Sequence, residues 1–454
     1  MLKTTDLGEL PLAQAPSIDS SAYRKATWRL IPFLAVCFVF AYLDRVNISF
    51  AKLQMQSDLG FSDAAYGLGA GIFFIGYFLF EIPSNVILER VGARRWIARI
   101  MISWGLASAM MMFVRDEFWF YTLRFMIGAT EAGFMPGVML YFTYWFPAKK
   151  RAQINALFLT SVPLSGVVGG PIAGFVMTVF DGVGHMPGWQ WLFVLEGIPT
   201  MLLGVAVLFY LPDRPATTKW LTTAEKHAIE GNLAHESRAS HREHHFGRAL
   251  RQPETLFLAT VYLFTLIGLW GLTFWLPELI KQTGVTHKVT IGFLTAVPYA
   301  AGGIAMVMVG RSSDRTGERK RHMGIALLVG SAGYGLSATF GGDTTMAMCA
   351  LSLAAIGTIG CLPVFWTFPP KVLAGPAAAG GIALINSVGN LGGAISPYLV
   401  GKVKELTGST EMALYTIGGS MMIAALLVLF ALPWKLSARD KIETPKLPAG
   451  VVQQ

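Results

Sequence analysis

Two ionisable residues stand seven apart in an apolar stretch, Tyr121-Thr-Leu-Arg124-Phe-Met-Ile-Gly-Ala-Thr-Glu131-Ala-Gly133. Seven residues is about two helical turns, so Arg124 and Glu131 share one helix face. An earlier apolar run, residues 30–50, carries a second pair, Asp44-Arg45. A charge inside lipid costs about 2.5–3.5 kcal/mol even on the lenient insertion scale, so such residues face a bundle interior or a water-filled cavity. The chemistry open to them is ion pairing, proton exchange and the holding of an anion by a guanidinium. A structural ion-pair network that only sets helix register is the plainer alternative.

The rest of the chain has to place those groups within a membrane. Of 454 residues, 53% are hydrophobic and 14% charged, and the mean hydropathy is +0.51. That excludes an ordinary soluble domain. The net charge of +9 is not a nucleic-acid footprint, because the basic residues fall in short clusters between apolar runs. Cys37, Cys349 and Cys361 form no CxxC pair, so neither a disulfide framework nor a metal site is expected. There is no P-loop, HExxH, GxSxG or strand-placed GxGxxG motif. An enzyme or an ATP-driven pump is therefore not expected. An ion gradient, or no energy source, remains, and no cofactor is expected beyond a coupling proton.

Twelve apolar segments can be counted, at 28–50, 63–88, 96–114, 117–140, 151–178, 190–211, 254–280, 289–311, 322–341, 344–369, 376–402 and 411–433. Each is long enough for a bilayer core of about 30 Å. The expected fold is an all-α membrane protein of twelve transmembrane helices. One set of loops holds Arg24, Lys25 and Arg29, then Arg90, Arg94, Arg95 and Arg99, then Lys149, Lys150 and Arg151, then Arg311, Arg315, Arg319, Lys320 and Arg321, then Lys435, Arg439 and Lys441. The alternate loops are assigned only Lys52, Arg115, Lys281, Lys288, Lys402 and Lys404. Both termini are then cytoplasmic. The organisation reads as a cytoplasmic tail (1–24), a six-helix bundle (25–211), a cytoplasmic linker (212–253), a second six-helix bundle (254–435) and a second tail (436–454). In the linker, Thr222-Thr-Ala-Glu225 is a capping-box pattern that starts a short helix. His227, His235, His241, His244 and His245 follow and read as solvated, because no acidic or cysteine partner recurs at ligand spacing.

The two halves repeat. Glu89-Arg90-Val-Gly92-Ala-Arg94-Arg95 matches Asp314-Arg315-Thr-Gly317-Glu-Arg319-Lys320 at an offset of 225 residues. Internal repeats mark transporters, with the substrate site near the midplane between halves. Glu89, Arg90, Arg94, Asp314, Arg315 and Arg319 are read as a salt-bridge latch between two conformations; plain positive-inside anchoring is the alternative. Gly166, Gly170 and Gly174, and Gly389 and Gly393, recur at four-residue steps that let helix backbones approach.

These features together resemble the major facilitator superfamily. Tyr42-Leu-Asp44-Arg45-Val-Asn-Ile-Ser, Ile82-Pro-Ser-Asn, Arg124-Phe-x-x-Gly-x-x-Glu131-Ala-Gly-Phe, Trp145-Phe-Pro, Pro363-Val-Phe-Trp366-Thr and Asn386-x-x-Gly389-Asn390 resemble its anion:cation symporter branch. The likeness runs over about residues 25–435 and includes bacterial permeases for rhamnonate, tartrate, galactonate and 4-hydroxyphenylacetate. It implies a proton-coupled importer of a small organic carboxylate in a bacterial inner membrane, monomeric, lipid-embedded and without a nucleic-acid partner. It implies proton carriage by Asp44 and Glu131, and arginines, Arg45 and Arg124, close to the substrate. It places Tyr42, Tyr77, Trp366 and Asn386 along the pocket. Val162, Pro363 and Phe365 stand where galactonate-type relatives have polar residues, which implies a less polar pocket. The residues support this separately: lysine is nearly absent from the apolar runs, leaving Arg45 and Arg124 for an anion. Proton and anion are expected to trade places around Arg124 and Glu131. Glu81, Glu196 and Glu278, beside Pro83, Pro199 and Pro277, are read as interfacial caps or partners of backbone freed by proline. An exporter of the same fold and a membrane sensor on this scaffold are the rival readings.

Overall fold

In lipid, every backbone N–H and C=O must be satisfied internally, and a continuous helix does this within one segment. The computed structural model describes residues 18–239, 252–373, 377–433 and 436, and the described residues contain helices and no strands. The first half comprises α1 (Ile18–Leu59), α2 (Asp63–Val91), α3 (Ala93–Met110), α4 (Glu117–Glu131), α5 (Phe134–Thr143), α6 (Ala148–Leu159), α7 (Ser161–Val179) and α8 (Gly188–Tyr210). After α9 (Thr223–Ala239) come α10 (Pro253–Gln282), α11 (Lys288–Thr316), α12 (Arg319–Thr339), α13 (Thr344–Gly360), α14 (Ala377–Thr407) and α15 (Thr410–Leu426).

Ten of these segments are long and apolar enough to cross a membrane. The other two expected spans, α12 and α14, are also helices, of 21 and 31 residues, but fall outside those ten. The cause is composition: α12 opens on Arg319-Lys-Arg-His322, and α14 is rich in glycine, alanine and asparagine.

Three expected spans are broken, and one of them, 344–369, continues past α13 as the short helices Leu362–Phe365 and Pro369–Val372. The segment 117–140 breaks directly after Glu131, where Ala132 is extended and Gly133 is left-handed at φ 88°. A side chain at 133 would be strained there, and its Cβ would sit 2.3 Å from Ser84 Oγ. The segment 151–178 is divided at Thr160 into α6 and α7.

The halves meet along three seams, α2 on α14, α7 on α11 and α1 on α10. The α7–α11 seam is backbone on backbone. A Cβ at Gly292 would lie 2.4 Å from the Gly170 carbonyl oxygen, so the glycine steps read from the sequence serve close packing here.

The capping box forms: Thr222 N–H donates to Glu225 Oε2 at 3.0 Å, and Glu225 N–H donates to Thr222 Oγ1 at 3.3 Å. The same carboxylate pairs with Lys25 on α1 at 2.8 Å and accepts from Ser21 at 3.0 Å. The Lys25 ammonium, helped by the Thr222 N–H, holds the Glu225 carboxyl down at about 2. Because the folded value lies below the ordinary one of about 4.3, its contribution is present above that value and is lost as pH falls from there toward 2. Glu225→Ala is expected to loosen α9 from α1, read as faster proteolysis within residues 223–239. Of the linker histidines, His241, His244 and His245 lie outside the described residues.

Candidate functional site

The axial position of Asp44-Arg45 midway along α1 and of Glu131 at the end of α4 brings the two helices' ionisable groups together. Arg45 Nη2 forms an ion pair and hydrogen bond with Glu131 Oε1. Glu131 is 1% exposed and the Arg45 side chain 19%. The expected exchange between Glu131 and Arg124 is thus corrected: the ion-pair partner is Arg45. Arg124, fully enclosed, spends Nε and Nη2 on the Gly69 and Ala70 carbonyls of α2, each at 3.2 Å. Seven-residue spacing puts Arg124 on Glu131's side of α4, but α2 packs against α4 there and its carbonyls capture the guanidinium.

Arg45 is held among rings. Its guanidinium carbon lies 5.2 Å from the Phe73 centroid, 5.4 Å from Tyr77 and 5.6 Å from Trp270. Aromatic faces attract a cation and displace its water. Trp270 belongs to the second half, and nothing in the sequence motifs singled it out. Four buried polar atoms in this group have no hydrogen-bond partner: Arg45 Nε, Arg124 Nη1, Trp270 Nε1 and Glu131 Oε2.

Asp44, one residue before Arg45, turns the other way. Its Oδ2 accepts from Trp104 Nε1 at 2.6 Å and Thr200 Oγ1 at 3.0 Å, and its Oδ1 accepts from Ser108 at 2.9 Å. Glu196 does not cap an interface as expected; it is 3% exposed in mid-α8, one turn before Thr200. Tyr42 lines a narrow inter-half cavity with Asn47, Ser165, Glu196, Thr295 and Tyr299.

Glu81 likewise serves neither a cap nor proline-freed backbone. It accepts from Asn386 Nδ2 and Ser387 Oγ on α14, both at 3.3 Å, so Asn386 links the halves. Trp366 packs on Tyr262 at 5.3 Å between centroids. Phe365, one of the apolar substitutions, stacks on that same ring at 4.4 Å and 11°.

The two ends of the molecule differ. At the end bearing Asp63, Lys52 pairs with Asp63 at 2.9 Å and Glu278 at 3.8 Å, and Lys404 pairs with the same two acids at 2.9 and 3.5 Å. Lys288 pairs with Asp181 across the second seam at 3.1 Å. Lys52, Lys402 and Lys404 are therefore not loop residues, and Glu278 is not a cap. A signal existed in the repeat: Asp63 and Lys288 open equivalent helices at the 225-residue offset with opposite charges, each facing a partner of the other sign. At the opposite end, Arg94, Asp314 and Arg319 have ion-pair partners within their own half. Arg94 approaches Asp213 at 3.9 Å, and Arg319 holds Asp314. Glu89, Arg90 and Arg315 make no ion pair among the described residues. Asp63→Asn is expected to weaken the closed end by on the order of tenfold in population, about 1.4 kcal/mol. The check is alkylation, by an impermeant reagent, of Val46→Cys in a cysteine-free background.

The family profile described as Major Facilitator Superfamily matches residues 34–397 and 287–449. The chain belongs to the major facilitator superfamily. This facilitator is 46% identical over 415 residues to a candidate tartrate transporter of Agrobacterium vitis, covering 91% of each chain. It is 44% identical over 438 residues to the candidate metabolite transport protein NicT of Pseudomonas putida, covering 95% of this chain and 100% of that one. A quinolone resistance transporter of Acinetobacter baumannii is 40% identical over 94% of this chain and 98% of its own. In fold, the facilitator is similar to the inward-open xylose transporter XylE of E. coli, with a TM-score of 0.72 at 13% identity over 93% and 98% of the two chains. It is a multi-pass membrane protein of a transporter family and not an enzyme.

Proposed function

We propose that this facilitator imports a small organic carboxylate together with protons by alternating access. The observation that carries the reading is the buried Arg45–Glu131 pair, ringed by aromatics and flanked by N–H donors without partners. A carboxylate brings the acceptor oxygens that Arg45 Nε and Trp270 Nε1 lack, and a guanidinium grips it bidentately. Glu131 already occupies Arg45, so the anion competes with it. Protonation of Glu131 removes the competitor and frees the guanidinium. With substrate gone, the proton leaves and the Arg45–Glu131 pair re-forms, resetting the site. Arg124 contributes positive field to Glu131 and ties α4 to α2.

In this reading twelve helices span the bacterial inner membrane, both termini are cytoplasmic, and the Lys52–Asp63–Lys404–Glu278 cluster closes the outer end. Opening that end breaks the cluster while the Glu89 and Asp314 motifs engage at the cytoplasmic end. The facilitator acts as a monomer, without a cofactor other than the proton and without nucleic acid. Relatives named for tartrate and for a metabolite favour an acid nutrient.

A thermal-shift screen of purified protein against tartrate, sugar acids and aromatic acids tests the reading. A genuine substrate at a hundredfold excess over its Kd stabilises by about 2.7 kcal/mol; no shift with any acid would remove the anion site. Export is the second reading, favoured by the quinolone-resistance relative. Uptake into right-side-out vesicles driven by an inward proton gradient separates the two.

A further inference from the structure

We propose that Glu196 is a third proton-handling carboxyl of this transporter and shares one proton with Asp44. On α8, Glu196 and Thr200 stand one turn apart, and the Thr200 hydroxyl lies between Asp44 Oδ2 at 3.0 Å and the Glu196 carbonyl oxygen at 2.9 Å, its single proton shared between the two. The Glu196 carboxyl therefore lies on the α8 face turned toward Asp44. Two carboxylates enclosed together are not both ionised, because nothing repays their repulsion and desolvation.

The hydrogen bonds decide where the proton sits. Asp44 accepts from Trp104, Ser108 and Thr200, which stabilise its charge. Glu196 Oε2 has no partner. Asn47 stands beside it and offers a neutral amide, where Asp44 has the indole N–H of Trp104 and the hydroxyl of Ser108. The proton belongs on Glu196. The titratable groups facing it are Asp44 from α1 and, around the cavity, the phenols Tyr42 from α1 and Tyr299 from α11; α7 offers Ser165 and glycines, and α3 offers Trp104 and Ser108. Arg45 is committed to Glu131 and supplies no counter-charge here. The cavity beside Glu196 is lined from both halves, by Ser165 of α7 and by Thr295 and Tyr299 of α11.

The inference rests on the proton-coupled reading and is tested so that the two can fail separately. Infrared spectra of the full-length protein in liposomes are recorded across pH for the parent, Glu196→Gln and Asp44→Asn, alongside tartrate accumulation and counterflow. The parent is expected to show a protonated-carboxyl band at neutral pH that Glu196→Gln lacks. That variant keeps counterflow, and its half-maximal accumulation moves by about one pH unit. Superimposable parent and Glu196→Gln spectra and pH profiles would overturn the assignment. So would loss of counterflow with the band unchanged. If Glu196→Gln fails to fold, Glu196→Asp takes its place and must retain the band, its absence being equally fatal. A parent with the band but no gradient-driven accumulation would refute the transport reading and leave the shared proton standing.

Discussion

Glu131→Gln is expected to abolish proton-driven accumulation while sparing counterflow of substrate. Glutamine keeps the size and hydrogen-bonding reach of the side chain but holds no exchangeable charge. In the parent, Glu131 and the anion alternate on Arg45; in the variant, Arg45 is always free for the anion. The expected loss is set by thermodynamics: each coupled proton is worth about 1.4 kcal/mol, or tenfold accumulation, per unit of pH gradient. A second proton carried with a monoanion would add about 2.3 kcal/mol per 100 mV of membrane potential. Uptake into liposomes with an imposed pH gradient should fall to the equilibrium level, with counterflow within a few-fold of the parent. Accumulation that survived unchanged would take Glu131 out of the coupling step.

Arg45→Gln carries the second large effect, and it acts on two quantities at once. Removing one member of a buried pair strands the other, at a cost of about 3–5 kcal/mol. Arg45 is 19% exposed, so the lower end of that range is expected. The same change removes the guanidinium offered to the substrate, and truncating one side of a buried charge pair costs about 2–5 kcal/mol of binding. The double variant Arg45→Gln/Glu131→Gln separates the two. It should regain most of the lost thermal stability, since no lone carboxylate is left, but no anion binding. Restored binding in the double variant would move the anion site elsewhere, with Arg124 the next residue to change.

The ionisable residues were visible in the sequence because lipid makes them costly: Asp44, Arg45, Arg124 and Glu131 stand out from apolar neighbours. Their pairing was not visible. Spacing along one helix put Arg124 with Glu131, whereas the carbonyls of Gly69 and Ala70 take Arg124 and a different helix delivers Arg45. Trp270 escaped notice for a related reason. Among many aromatic residues on apolar helices, only packing shows which ring meets a cation rather than lipid. The prolines beside Glu81, Glu196 and Glu278 suggested local backbone roles. Contacts from other helices supersede that at Glu81 and Glu278.

By itself the sequence determined the class of protein: apolar length demands membrane helices, the 225-residue repeat demands two related halves, and the motifs assign the superfamily. These follow from hydrophobicity and local pattern, which are properties of contiguous residues. Tertiary structure alone decided which arginine neutralises Glu131, that Lys52, Asp63, Glu278 and Lys404 close one end, and that Thr200, one turn from Glu196, meets Asp44. Those are contacts between helices distant in the chain. Their energies depend on the separation and burial of charges, and packing fixes both.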